Sequence, residues 1–378
     1  MGNSYRSWVE IDQSALINNI RQFKRIIGPK VKLMLPVKAN AYGHGLLEVA
    51  NVSSKHGVDW FGVDSVEEAE LLRRNRINSP LLILGYIRLA QLSRAVHLNE
   101  TRIGVYNKET IKKLGGLRKK ILIHLKLETG TARQGVAPEK VMEFLHLIKK
   151  YPLIKIEGLY THFANIEDTN NHQFALKQLS VFNYVVKQLE NSGLKINYKH
   201  TACSAATILY KKTHFNLVRP GVGVYGLWSS PVTLLAARKV KQQINLKPVL
   251  SWKTVIAQIK EVKKNESVGY GRAEKVLRDS RVAIIPVGYF DGFDRGLSCL
   301  GHILIKGQRA KVIGRVCMNM FMVDVTDIKN LELEDEVVLL GGQGREEIKA
   351  DEIAEKLGTI NYEVVSRINP QIKRVVIR

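Results

Sequence analysis

The chain has 378 residues, of which 45% are hydrophobic and 25% charged, and its formal net charge is +23. That length and composition suit a soluble globular protein with two cored domains rather than a disordered or membrane chain. No apolar run approaches the roughly 20 residues needed to cross a bilayer, so no membrane partner is expected. The basic residues are spread along helix-face positions such as Arg73, Arg74, Lys112, Lys113, Lys149 and Lys150, with no basic tail or aromatic-interleaved motif. A solvated basic surface is expected rather than nucleic-acid binding. The three cysteines, Cys203, Cys299 and Cys317, show no metal or redox spacing, which suits reduced thiols. The opening residues carry no apolar signal region, and Arg6 breaks the myristoylation pattern, so a cytoplasmic location is expected.

In chain order, strand-like runs fall at Val31–Val37, Trp60–Val63, Leu81–Leu84, Arg102–Val105, Ile121–Leu127, Ile156–Tyr160, Tyr198–Thr201 and Leu217–Arg219. Amphipathic stretches lie between most of them. Val66, Ala69 and Leu72 recur at helical spacing, as do Leu176, Leu179, Phe182, Val185, Val186 and Leu189. Eight strands alternating with helices predict an α/β fold, an N-terminal (β/α)8 TIM-type barrel. A doubly wound open sheet would read almost the same, so the alternation gains weight only together with the site chemistry. From about residue 236 the runs become short and β-branched: Thr254–Ile259, Val282–Val287, Ile303–Ile305, Ala310–Ile313, Met322–Val325 and Val337–Leu340. One helix, Ala350–Leu357, precedes a last strand at Arg374–Ile377. The expected division is a barrel over 1–235 and a C-terminal mostly-β domain over 236–378. The first roughly ten residues are free to pair with the second domain.

The end of the first barrel strand carries the most informative residue. Lys38 closes the run Val-Lys-Leu-Met-Leu-Pro-Val-Lys and is followed by Ala-Asn-Ala-Tyr-Gly-His-Gly. A lysine placed at such a strand end can condense with an aldehyde, and the glycines allow a ligand close to the backbone. Barrel chemistry gathers at the carboxyl ends of strands. Reading past each strand gives Lys38 and Tyr42; Lys126, Glu128 and Arg133; Thr161 and His162; Cys203 and Ser204; Arg219 and Gly221. An amine, an imidazole, two guanidiniums and a hydroxyl at one mouth suit a carboxylate-bearing substrate.

These segments resemble those of the alanine racemases, enzymes dependent on pyridoxal phosphate (PLP). The likeness runs nearly end to end: Trp8-Val-Glu-Ile-Asp12, Val37 to Gly45, Lys126 to Gly135, Gly158 to Ala164, Arg219-Pro-Gly-Val-Gly-Val-Tyr-Gly226, Gly269-Tyr-Gly271, Gly288 to Gly292, Gly314 to Met318, and Thr359 to Glu363. The resemblance implies a PLP barrel, a β-rich second domain, and a head-to-tail homodimer whose partner completes each site. It implies interconversion of L- and D-alanine, with D-alanine supplied for peptidoglycan. A broader-specificity or serine racemase of the same fold is the alternative reading.

By this resemblance Lys38 and the partner-borne Tyr270 are two bases acting on opposite faces of the substrate Cα. A phenol needs help to act as a base at neutral pH; in the family a hydrogen-bonded chain through His162 to Arg219 supplies it. Arg219 faces the pyridine nitrogen. Tyr42, Ser204, the amides of Gly221 and Val222, and Tyr362 bind the phosphate. Arg133 and the Met318 backbone N–H bind the substrate carboxylate. Lys126 matches a lysine that several members carbamylate, and Tyr289 part of the entrance. The chain departs from the usual pattern at Asn319, Cys203 and Glu128. Gly221, Gly223 and Gly226 also spell GxGxxG, but no acidic residue follows at the distance a dinucleotide site needs. No HExxH or Cys/His cluster occurs, so no metal is expected.

Overall fold

A computed structural model describes residues 4–168, 171–239 and 243–378. The chain forms two compact units. One comprises Ala15–Ala39 and Val49–Lys247; the other comprises Asn40–Glu48, Pro248–Arg378 and the N-terminal residues up to Ser14.

In the first unit eight parallel strands follow one another around a sheet: Lys32–Pro36, Trp60–Val63, Leu81–Ile83, Thr101–Val105, Ile121–Lys126, Ile154–Tyr160, Tyr198–His200 and Leu217–Val218. The last pairs with the first, Lys32 opposite Leu217. The seventh and eighth strands are too short for a ladder between them. Their gap is bridged by Arg219 N–H on the Ala202 carbonyl at 2.8 Å and by Asn216, which accepts from Lys199 N–H at 2.8 Å and donates to the Asn197 carbonyl at 2.6 Å. The expected (β/α)8 barrel is therefore present. Helices cover it: Val66–Arg74 buries the predicted Val66, Ala69 and Leu72, and Gln173–Asn191 buries Leu179, Phe182, Val185, Val186 and Leu189, whereas Leu176, expected on the same face, is exposed and Ala175 takes the inward position. Ser65 caps the first of these through Glu68 N–H at 3.2 Å.

The second unit is built on a long, mainly antiparallel sheet. Next to one edge of it lies Ser7–Asp12, antiparallel to Leu250–Val255 and parallel to the edge strand Lys373–Ile377. The single strand expected at Thr254–Ile259 is two, Leu250–Val255 and Gln258–Val262. The chain changes partner between them: Thr254 faces Val337, whereas Gln258 faces Ile284. A short helix, Asn361–Ser366, follows Ala350–Leu357. No helix among the described residues is long and apolar enough to cross a membrane.

Candidate active site

The turn after the first barrel strand is left-handed. Ala39, Asn40, Ala41 and Tyr42 have φ of 52, 53, 53 and 55°. Each such non-glycine residue costs about 1–2 kcal/mol, so outside contacts must hold it. Glu68 does so in the barrel unit, accepting from Ala39 N–H and Asp64 N–H at 2.7 Å each. The Asn40 side chain accepts from Leu46 N–H at 2.8 Å. Lys38, at the head of this turn, has its Nζ 3.5 Å from Asp64 Oδ1.

The other strand ends of the barrel unit bring charged groups to the same mouth. Lys126 is buried and donates to Gln134 Oε1 at 3.0 Å. Burial, then Arg133 and Arg219, push its amine down to about 8. His162 is pushed down to about 3 by burial, then by Arg219, Arg133, Lys126 and Lys38. It is a neutral imidazole among four cations. Burial alone would raise the Glu128 carboxyl, but N–H groups from Gly130 and Arg133 and the Thr131 hydroxyl and N–H bring it down to about 2. Glu128 thereby ties the loop that carries Arg133, accepting the Arg133 N–H at 3.0 Å.

Arg219 is buried, and burial lowers its guanidinium to about 10. Its Nη1 reaches His200 Nδ1 at 2.5 Å and the His200 carbonyl at 2.8 Å. Its Nη2 donates to the carbonyls of Thr161 at 2.6 Å and Thr201 at 3.4 Å. Among the described residues Arg219 is bonded to His200 and not to the His162 ring expected from the resemblance. Ser204 opens a short helix, Ser204–Leu209, and accepts from Gly223 N–H at 3.1 Å. A Cβ on Gly223 would lie 2.6 Å from Phe23 Cζ, so glycine lets the Gly221–Gly226 turns close on that hydroxyl. Gly221 and Val222 lie on this turn, their carbonyls accepting from the N–H groups of Val224, Tyr225 and Leu227. Cys203, just before it, has its thiol pushed up to about 12 by burial and then Glu167.

In the other unit Tyr42 and Tyr362 face each other, ring centroids 6.1 Å apart. Tyr270 is 72% exposed, on a turn between Gly269 and Gly271 at φ 70 and 69°. Met318 is also exposed, at the apex of a turn closed by Cys317 N–H on the Met320 carbonyl at 2.8 Å. Tyr289 N–H bonds the Cys317 carbonyl at 3.0 Å. No group of histidines, cysteines and carboxylates able to hold a metal occurs among the described residues.

Sequence reading missed His124, Tyr160 and His200, which are buried inside the barrel. A signal existed: in Ile-Leu-Ile-His-Leu-Lys, His124 and Lys126 share one face of a strand. Barrel interiors are otherwise filled with branched apolar residues.

Comparison with known proteins agrees with this layout. Residues 11–229 match the model of the alanine racemase N-terminal domain, and residues 249–376 that of the C-terminal domain. An alanine racemase of Methanococcus maripaludis is 38% identical over 98% of this chain and 99% of its own length. One from Halothermothrix orenii is 39% identical over 97% of this chain and 96% of its own. The crystal structure of alanine racemase from Bacillus anthracis with bound L-Ala-P superposes with a TM-score of 0.93 at 32% identity, covering 100% of this chain and 96% of that one. By sequence and by fold, the chain belongs to the alanine racemase family.

Proposed function

We propose that this protein is a PLP-dependent alanine racemase working by two bases. The observation that carries the reading is the cluster of Lys38, Lys126, His162 and Arg219 around one barrel mouth, with the Ser204 hydroxyl and the Gly221–Gly226 turn beside it. This donor set fits PLP: an amine for the aldehyde, a fixed guanidinium for the ring nitrogen, and a cradle of amides and hydroxyls for the phosphate. The cofactor, when bound, supplies a conjugated electron sink that makes the Cα–H of the amino acid acidic.

The chain's own residues then divide the work. The Lys38 amine holds the aldehyde carbon and, on one face, takes or returns the Cα proton. Tyr270 does the same on the other face through its phenol oxygen. Arg133, on the loop tied by Glu128, and the Met318 N–H hold the substrate carboxylate. Tyr42, Ser204, Gly221, Val222 and Tyr362 hold the phosphate. All four terminal N–H groups of Arg219 are engaged by His200, Thr161 and Thr201, which leaves its Nε–H to face the pyridine nitrogen. A guanidinium keeps its proton, so that nitrogen stays unprotonated. Neutral His162 lies close to Arg219 and completes the contact with the partner-borne phenol.

Tyr270 and Met318 stand on exposed turns of the β-rich unit, which suits their insertion into a second copy. The working form in this reading is a homodimer in the cytoplasm, each subunit a barrel domain over 1–235, whose first residues pair with the second domain, and a β-rich domain over 236–378. Its product, D-alanine, feeds peptidoglycan. The lowered Lys126 amine is suited to attack carbon dioxide, releasing one proton and leaving a carbamate that pairs with Arg133. The test is racemisation of L-alanine by the purified protein with PLP, followed by circular dichroism. Lys38→Ala should abolish turnover and Tyr270→Phe should slow it severely. A panel of L-amino acids separates alanine from serine or broader preference.

A further inference from the structure

Behind Arg219 a buried line of side chains crosses the barrel. Arg219 Nη1 is 2.5 Å from His200 Nδ1, and His200 Nε2 is 2.8 Å from His124 Nδ1. His124 Nε2 is 3.4 Å from Glu157 Oε2, and Glu157 receives Arg102 through both oxygens at 2.9 and 3.3 Å. The line starts at the carboxyl end of the eighth strand and finishes on Glu157, midway along its strand, and Arg102, near the amino end of its own.

The two ends dictate where the protons lie between them. A guanidinium only donates, so His200 Nδ1 accepts and its proton sits on Nε2. That N–H points at His124 Nδ1, which therefore accepts, placing the second proton on His124 Nε2. This last N–H points at the Glu157 carboxylate, which only accepts. One extra proton anywhere would set two N–H groups against each other. Burial, with Arg219 and His124 adding to it, holds His200 well below its ordinary range, and burial lowers His124.

The surroundings are shaped for this line. Tyr160 lies flat on His200, centroids 4.9 Å apart at 2°, and Tyr198 stacks on His124 at 6.0 Å and 22°. Gly158 makes room: a Cβ there would be 2.5 Å from His124 Nδ1. Apolar side chains would fill a barrel interior at less cost than two imidazoles and an ion pair.

We propose that Glu157, His124 and His200 are positioning residues, a one-way hydrogen-bond wire that locks the guanidinium of Arg219 from inside the barrel. Its kinetic consequence rests on the racemase reading above. With the wire in place Arg219 cannot rotate, and its Nε–H keeps one direction toward the ring nitrogen. Breaking the anionic end frees the tautomers, and with them the guanidinium.

Two measurements test this. Nitrogen-15 NMR of the apo protein at neutral pH should find both imidazoles neutral and protonated on Nε2. In the PLP-loaded enzyme, Glu157→Gln should lower kcat about tenfold or more, as loss of a tautomer-fixing group does. KM should stay within about twofold, and the visible absorption of the bound cofactor should shift. Arg102→Gln removes the other half of the ion pair and should lower Tm similarly, yet leave kcat within about twofold. A charged or Nδ1-protonated imidazole in the wild type, or equal kcat losses in the two variants, would overturn the proposal. A wild-type protein that neither binds PLP nor racemises alanine would overturn the reading of the site instead, and the apo spectra would still decide whether the wire exists.

Discussion

Arg374 holds the carbonyl of Gly43 with both Nε and Nη2, at 3.1 and 2.9 Å, across 331 residues of chain. The guanidinium is buried, and it also donates to the carbonyls of Ile368 and Asn369. Gly43 has φ of 82°, and a Cβ on it would lie 1.9 Å from the Val365 carbonyl oxygen. The left-handed turn that ends on Tyr42 is thus clamped by the last strand and the helix Asn361–Ser366.

Arg374→Gln should therefore leave several buried carbonyls without donors. The expected cost is about 2 kcal/mol in urea unfolding, with weaker PLP retention because Tyr42 loses its clamp. An unchanged unfolding midpoint would contradict the clamp.

Lys126 yields a signed pH dependence. Its amine is lowered from the ordinary 10.5 to about 8 in the folded chain. Between those values the unfolded chain binds more protons, so this group makes stability rise with pH, by at most about 1.4 kcal/mol per pH unit. Below pH 8 both states are charged and the term is flat. The stability difference between wild type and Lys126→Met, measured from pH 7 to 10.5, should carry that slope.

Glu128→Gln should raise the KM for alanine about tenfold while kcat stays within about twofold, because the loop under Arg133 loses its anchor. The carboxyl is lowered to about 2 from 4.5, so its stabilising effect is full above pH 4.5 and fades as pH falls toward 2. Steady-state kinetics at neutral pH, with acid unfolding of both forms, would check both halves.

Gly158→Ala places a methyl group against the His124 ring. A loss of about 1–3 kcal/mol is expected from overpacking. Val at the same position should not fold at 37 °C, and thermal melts of the two variants would show the order.

Cys203 should resist alkylation in the native protein at pH 8, since it is half-buried and its thiol is raised to about 12. Mass spectrometry after iodoacetamide should find it modified only once the chain is unfolded.

The alternation of strands and helices was legible because it is local. Apolar residues at a period of 3.6 in Val66–Arg74, and short branched runs such as Trp60–Val63, state their own conformation. The chemistry at the strand ends was legible for a related reason: once a barrel is inferred, Lys38, Lys126, Arg133, Ser204 and Arg219 all fall on its carboxyl side. Partner choice is not local, and there the sequence alone stopped. Nothing in Trp-Val-Glu-Ile says that Ser7–Asp12 pairs between Leu250–Val255 and Lys373–Ile377 in the other unit's sheet, or that Thr254–Ile259 divides between two partners. The left-handed turn at Ala39–Tyr42 runs against local preference and exists because Glu68 and Arg374 hold it. The line from Arg219 to Glu157 joins residues from three strands and the loop after a fourth; proton positions there follow from which atoms meet, and only the folded barrel makes them meet.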